Sequence, residues 1–240
     1  MNVLKITKYQ INEMKSSVLV YYLIILVIAT ILTSATAQQN VNASIGGLDF
    51  ASIIFIFVSG ITIFKQSYIF MQANNITRKR YFQGHLLSIF PVSAFIATVD
   101  IIINRITNIF TVHNSLFSQI YLRPDSFVRA NPNIINNFIW SFAALSLFAI
   151  IGYFVALVYY RSNTLIKIIV SMTPLIIISI LGYLNRITNG GTAKVISDFF
   201  AFIWGFKHGY NPYIAIASMG IFFIIFSTLS YLLIRKAPVK

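Results

Sequence analysis

The sequence predicts an all-α integral membrane protein with six transmembrane helices. Three observations carry that reading. Hydrophobic residues make up 58 % of the 240-residue chain and charged residues only 10 %, against about 25 % charged in an average soluble protein. The mean hydropathy is +0.79. The apolar residues fall into separate runs of roughly 20, the length an α-helix needs to cross a hydrocarbon core of about 30 Å.

The six runs lie at 17–36, 48–70, 84–104, 137–160, 164–184 and 213–234. A lipid-exposed strand would leave backbone groups unpaired, so these are expected as helices. A β-barrel would alternate apolar and polar residues in segments of about ten, and these runs do not. The first run exceeds the roughly 7–15 apolar residues of a cleavable signal peptide, and five more spans follow it.

The composition also excludes function classes. A soluble domain this apolar could not cover its surface with polar groups, which rules out an ordinary cytosolic enzyme. Disorder needs the opposite composition. Lys and Arg number 18 against 5 Asp and Glu, a net charge of +13. That balance alone fits a nucleic-acid binder. Here the basic residues are scattered between apolar runs, as in the loops of a membrane protein, and no nucleic-acid partner is expected. There is no cysteine, hence no disulfide, thiolate catalysis or Cys-ligated metal.

Orientation follows from the basic residues. With the amino terminus inside, twelve face the cytoplasm: Lys5, Lys8, Lys15, Lys65, Arg78, Lys79, Arg80, Arg161, Lys167, Arg235, Lys236 and Lys240. Six face outward: Arg105, Arg123, Arg129, Arg186, Lys194 and Lys207. The excess places both termini of a multi-pass membrane protein in the cytoplasm. Aromatic belts are expected at Tyr21, Tyr22, Tyr68, Tyr159, Tyr160 and Tyr231 on the inner side. Trp140, Tyr183 and Tyr213 are expected on the outer side.

The segments between spans carry further expectations. Residues 1–16 form an amphipathic helix with Val3, Leu4, Ile11 and Met14 on one face and Lys5, Lys8, Asn12 and Lys15 on the other. Such a helix lies in the inner headgroup layer. The inner segment 71–83 is short and basic; Asn75 or Thr77 can cap a helix there. Its charges fit either a positive-inside anchor or a docking helix for a cytoplasmic partner. The outer loop 105–136 opens with the apolar residues Ile106, Ile109, Phe110, Val112, Leu116, Phe117, Ile120 and Tyr121. Either the third helix continues outward or a second amphipathic helix forms, stopped by Pro124 and Asp125. The outer loop 185–212 holds an apolar stretch at 195–206, too short to span and too apolar for water, which predicts a re-entrant or interfacial helix. Asn211 and Pro212 then supply the cap and first-turn proline of the last span. Pro91 and Pro174 each bend a span, as pivots or as passive kinks.

Catalytic chemistry is absent from the pattern. There is no phosphate-cradling G-x-x-x-x-G-K-[ST] motif. His85, His113 and His208 are isolated, and Glu13 is the only glutamate. No catalytic, metal or cofactor residues are expected, and the chain is not expected to be an enzyme. Two charges, Lys65 and Asp100, fall within spans away from the first few residues, where ionisable groups default to function. Lys65 is close enough to the inner end for its stem to reach the headgroups. Asp100 is sixteen residues into its span, roughly 24 Å at about 1.5 Å per residue. With Asn104 and Arg105 nearby, it reads as an outer-rim ion pair or a substrate contact.

Across nearly its whole length the chain resembles the permease subunit of a bacterial type-2 ABC exporter. The amino-terminal stretch LKITKYQINEMKSSVLVYYLIIL is similar to the interfacial helix of that family. NNITRKRYFQGHLLS, at 74–88, is similar to its coupling-helix signature. The resemblance implies that Thr77, Arg78, Lys79, Arg80, Tyr81 and Phe82 dock an ATPase. It implies paired permeases in the bacterial plasma membrane, as homodimer or heterodimer, above two ATPase subunits that bind ATP and magnesium. It also implies export of amphipathic peptides or hydrophobic drugs, with the phenol-soluble-modulin and antimicrobial-peptide exporters as the nearest group. Asp100, Phe110, Phe117, Ile120, Phe200 and Trp204 are the candidate substrate or outer-gate residues. The alternatives are a self-contained channel or secondary carrier, and an immunity or sensor protein that binds a toxic peptide.

Overall fold

A computed structural model describes residues 2–38, 44–122 and 132–237. The protein is an all-α membrane protein. Its elements in order are α1 (Val3–Gln38), β1 (Ser44–Gly46), α2 (Leu48–Ala73), α3 (Arg78–Phe110), β2 (Val112–Asn114), α4 (Leu116–Tyr121), α5 (Ile134–Arg161), α6 (Thr164–Ile187), α7 (Gly191–Ile203), a 3-10 turn (Phe206–His208) and α8 (Pro212–Arg235). Helices α1, α2, α3, α5 and α8 are long and apolar enough to cross a membrane. Helix α6 joins them if its halves Thr164–Thr173 and Leu175–Ile187, set at 42°, form one span. The break falls at position 174, one of the two intraspan prolines; α3 runs unbroken through Pro91.

The expected interfacial helix at 1–16 is not a separate element. It is the first part of a continuous 36-residue α1. The reason is that α3 accompanies it from Ile6 to Tyr22, across the expected break. Ile6 is fully buried where α3 carries Gly84 instead of a side chain; a Cβ there would sit 2.8 Å from the Ile6 Cβ. Thr7 Oγ1 donates to the Gly84 carbonyl at 3.2 Å. Farther along, Tyr22 Oη meets the Ile96 carbonyl and Asp100. Helices α1 and α3 therefore run parallel. Tyr22 stands sixteen residues beyond Ile6, roughly 24 Å up the helix. It belongs to the buried interior rather than to an inner aromatic belt. Tyr68 leaves the belt for the same reason, being fully buried.

The other helix pairs are of both kinds, parallel and antiparallel. Helices α2 and α3 are antiparallel, joined by Ser67 with Tyr81 at one end and by Asp49 with Asn104 at the other. Helices α2 and α5 are parallel and make the largest helix interface, with Phe64 edge-on to both Tyr153 and Tyr160. Helices α5 and α8 are also parallel, from the Tyr213 hydroxyl on Asn136 to Arg161 Nη1 on the Leu233 carbonyl. The start of α1, the α2–α3 turn and the end of α8 thus gather at one end of the bundle, here the basic end. The opposite end, the loop end, carries β1, β2, α4 and the 3-10 turn. There β1 and β2 pair in parallel, Ser44 with Val112 through Gly46 with Asn114.

Helix α6 stands apart. Its apolar residues are exposed along its length, including Leu165, Ile169, Leu175 and Ile178. A hydrogen bond between Ser171 and the Tyr159 hydroxyl ties it to α5.

Candidate functional site

The basic end holds the residues expected to dock an ATPase. Asn75 takes a left-handed conformation (φ 56°) and turns the chain. Thr77 then caps α3, its side chain accepting from the Arg80 amide at 3.5 Å. The expected separate coupling helix at 71–83 is instead the end of α2, a turn and the first turn and a half of α3. The helix continues because Tyr81 and Phe82 have a core to enter. Tyr81 is fully buried, its hydroxyl 2.7 Å from Ser67, and Phe82 packs on Tyr231. Neither is available to a partner. Arg78 donates to the Arg235 carbonyl at 2.8 Å, joining the α2–α3 turn to the end of α8. Thr77, Lys79 and Arg80 face outward.

The loop end separates the candidate gate residues. Helix α3 continues outward to Phe110, one of the two expected outcomes, and β2 and α4 follow, so 105–122 is not one amphipathic surface. Phe110 is 70 % exposed at the tip of α3. Phe117 is buried against Trp140, and Ile120 is half-buried. Trp204 ends α7 with its ring 6.2 Å from Trp140, and its carbonyl accepts from the Tyr121 hydroxyl. Phe117, Trp140 and Trp204 thus form one aromatic cluster, which Phe110 and Phe200 do not join. Phe200 is exposed on α7, a helix with no buried residue. Pro124 and Asp125, the expected stop, lie outside the described residues.

The third feature is a polar ladder inside the bundle, near the loop end. Asp49 and Ser52 share a face of α2; Asp100 and Asn104 share a face of α3. Their antiparallel packing makes two rungs. On one, the Asn104 amide donates to Asp49 Oδ1 at 2.6 Å. On the other, Ser52 Oγ donates to Asp100 Oδ1 at 2.9 Å. The Leu116 amide donates to Asp49 Oδ2 at 2.9 Å, so α4 is held to the ladder. From α1, Tyr22 Oη lies 2.9 Å from Asp100 Oδ1, and the Tyr21 hydroxyl lies 2.7 Å from Ser52 Oγ. Asp100 is therefore not in an outer-rim ion pair. Among the described residues, neither carboxylate is within ion-pairing distance of a Lys or Arg.

A small polar cavity of about 20 Å³ adjoins the ladder, lined by Asn104, Asn108, His113, Ser115 and Asn137 among others. His113 is 2 % exposed and neither ring nitrogen has a partner. Burial pulls its pKa down to about 4, so the ring is neutral at physiological pH. Toward the basic end, Gln10 Oε1 joins His85 Nδ1 and Ser88 Oγ, and the His85 ring stacks on Tyr153 at 3.9 Å. No group of His, Asp and Glu among the described residues has the arrangement of a metal site.

Reading single residues finds Asp100 but misses Asp49, Ser52 and Tyr22. The available signal is spacing, Ser52 three positions after Asp49 and Asn104 four after Asp100, each a polar pair on one helix face. Comparison with protein-family models, curated proteins and solved structures finds no match. The likeness to exporter permeases rests on the chain's own residues.

Proposed function

We propose that the chain is the permease subunit of an ATP-driven exporter in the bacterial plasma membrane. On this reading it crosses the membrane six times with both termini in the cytoplasm, and α7 is re-entrant. It pairs with a second permease within the lipid, and a separate ATPase supplies ATP, magnesium and hydrolysis. Amphipathic peptides or hydrophobic drugs are the cargo.

One observation carries the reading. The α2–α3 turn, the start of α1 and the end of α8 meet at the basic end, where Arg78 bonds the Arg235 carbonyl and Lys79 and Arg80 face outward. A push on that turn acts directly on α3. It reaches α1 through Thr7 and Gly84, and α8 through Arg78. This is a rigid-body linkage of the kind that switches two-state bundles.

The test is co-expression with ATPases encoded beside the gene. A stoichiometric complex whose ATPase rate responds to an amphipathic peptide is expected. Lys79→Glu with Arg80→Glu should loosen that complex while leaving the fold intact, since both side chains are exposed. Transport by the isolated chain in vesicles with no ATPase present would overturn the proposal.

A further inference from the structure

We propose that the ladder is a proton-binding site, with the proton held on Asp100 between the carboxylate and the Tyr22 hydroxyl. This does not depend on an ATPase partner.

The first argument counts hydrogens. Tyr22 Oη lies 2.9 Å from the Ile96 carbonyl and 2.9 Å from Asp100 Oδ1. A phenol carries one hydrogen, and a backbone carbonyl only accepts. If Tyr22 donates to Ile96, the contact with Asp100 needs a hydrogen from Asp100. A protonated Oδ1 supplies it and still accepts from Ser52 Oγ. The Tyr22 hydroxyl, the Ser52 hydroxyl and Asp100 Oδ1 are then all satisfied, as buried polar groups require.

The second argument concerns charge. The side chains that touch Asp100 are neutral, Tyr22 from α1 and Ser52 from α2, and so are those one step away: Tyr21 on Ser52, Asn104 a turn along α3, and His113 of β2, which shares the adjoining cavity with Asn104. The nearest other carboxylate, Asp49, adds to the negative charge. Its two partners are N–H donors, which suit an anion. Arg105 follows Asn104 on α3, and its Nη2 donates to the Pro132 carbonyl at 3.4 Å. Two uncompensated carboxylates inside an apolar bundle are costly, and one proton removes half of that charge.

The third argument is an opening. Asn104 is 8 % exposed, and its Oδ1 has no donor although its amide serves Asp49. Asn104 and the unpartnered His113 both line the adjoining cavity, whose volume suffices for one water. A proton arriving there from solvent converts the Asp100 carboxylate to a carboxylic acid. One O–H bond forms, and the donor water is left as it was before it took up the proton.

Infrared spectroscopy of the full chain in lipid nanodiscs, titrated in sodium-free buffer and again in sodium chloride, tests this. A carboxylic-acid C=O band that is present near neutral pH, disappears in Asp100→Asn and survives in Asp49→Asn is expected. Tyr22→Phe keeps the carboxyl but removes its partner, so the band should shift rather than vanish. Absence of the band, its survival in Asp100→Asn or an unmoved band in Tyr22→Phe overturns the assignment. A band abolished by sodium would mean the site takes a metal cation instead.

Discussion

Gly152 lets α5 press against the backbone of Phe57 in α2. A Cβ at Gly152 would overlap the Phe57 carbonyl oxygen and stand 3.0 Å from its carbon. Gly60 makes the reciprocal approach, its missing Cβ lying 2.7 Å from the Ala149 carbonyl oxygen. In lipid, helices have little hydrophobic reason to associate, and small residues hold them together through close packing. Gly152→Ala should separate the two helices and destabilise the bundle by about 1–3 kcal/mol, the usual cost of overpacking. Thermal unfolding in detergent measures this; an unchanged midpoint would show that the contact gives way easily.

Tyr22→Phe should also weaken the protein, because it removes one of the two hydroxyls on Asp100. Hydrogen bonds in membrane proteins average about 0.6 kcal/mol, with a maximum of about 1.7. A loss in the upper half of that range is expected. Ser52→Ala should cost a similar amount. The double variant should cost less than the sum of the two, since both groups meet the same oxygen. Strict additivity in a double-mutant cycle would argue against a shared network.

Acid should destabilise the loop end through His113. Burial lowers its folded pKa to about 4, whereas the unfolded chain protonates near 6.5. Between those values the unfolded state binds the extra proton, so stability rises with pH across that window. The full span corresponds to on the order of 3 kcal/mol. His113→Gln should flatten the slope between about pH 4 and 6.5 in a denaturation series.

Phe110 and Phe117 separate a substrate effect from a folding effect. Phe117 is 3 % exposed and packs on Trp140 and Tyr121. Phe117→Ser should cost at least the roughly 3–5 kcal/mol typical of emptying a buried aromatic position. Phe110→Ser should leave stability within about 0.5 kcal/mol, as at other exposed positions. A fall in peptide export by Phe110→Ser with unchanged unfolding would place that ring on the cargo path. Unchanged export would remove it from the candidate gate.

The exposed pair of Asp198 and Lys207, 2.9 Å apart, closes the loop between α7 and the 3-10 turn. The Lys207 ammonium, by hydrogen bond and by charge, holds the Asp198 carboxyl below its ordinary range. Its contribution is therefore fully present above the ordinary carboxylate pKa and is lost as acid passes through the lowered one. Both side chains are about half exposed, so added salt should erase most of the effect of Asp198→Asn.

The apolar runs made the helices legible because each exceeds what a soluble core helix needs. Their ends were less so. The boundary expected at residue 16 fell because Gly84, far along the chain, opens room for Ile6; nothing near residue 16 announces that. The boundary at 83 moved because Tyr81 and Phe82 find a core, whereas their sequence fits a membrane-surface anchor equally well. The ladder was half legible. Asp100 stands out as a charge in an apolar run, but Asp49 sits at a helix start, where an acidic residue is ordinary. Only the antiparallel register of α2 and α3 puts the two carboxylates on adjacent rungs.

The pairing of Ser44 through Gly46 with Val112 through Asn114 fastens two distant stretches of chain through amides, which nearly every residue possesses. Only proline would remove a donor from it. That stitch can outlast wholesale rewriting of its side chains, so what a descendant would preserve there is spacing rather than spelling.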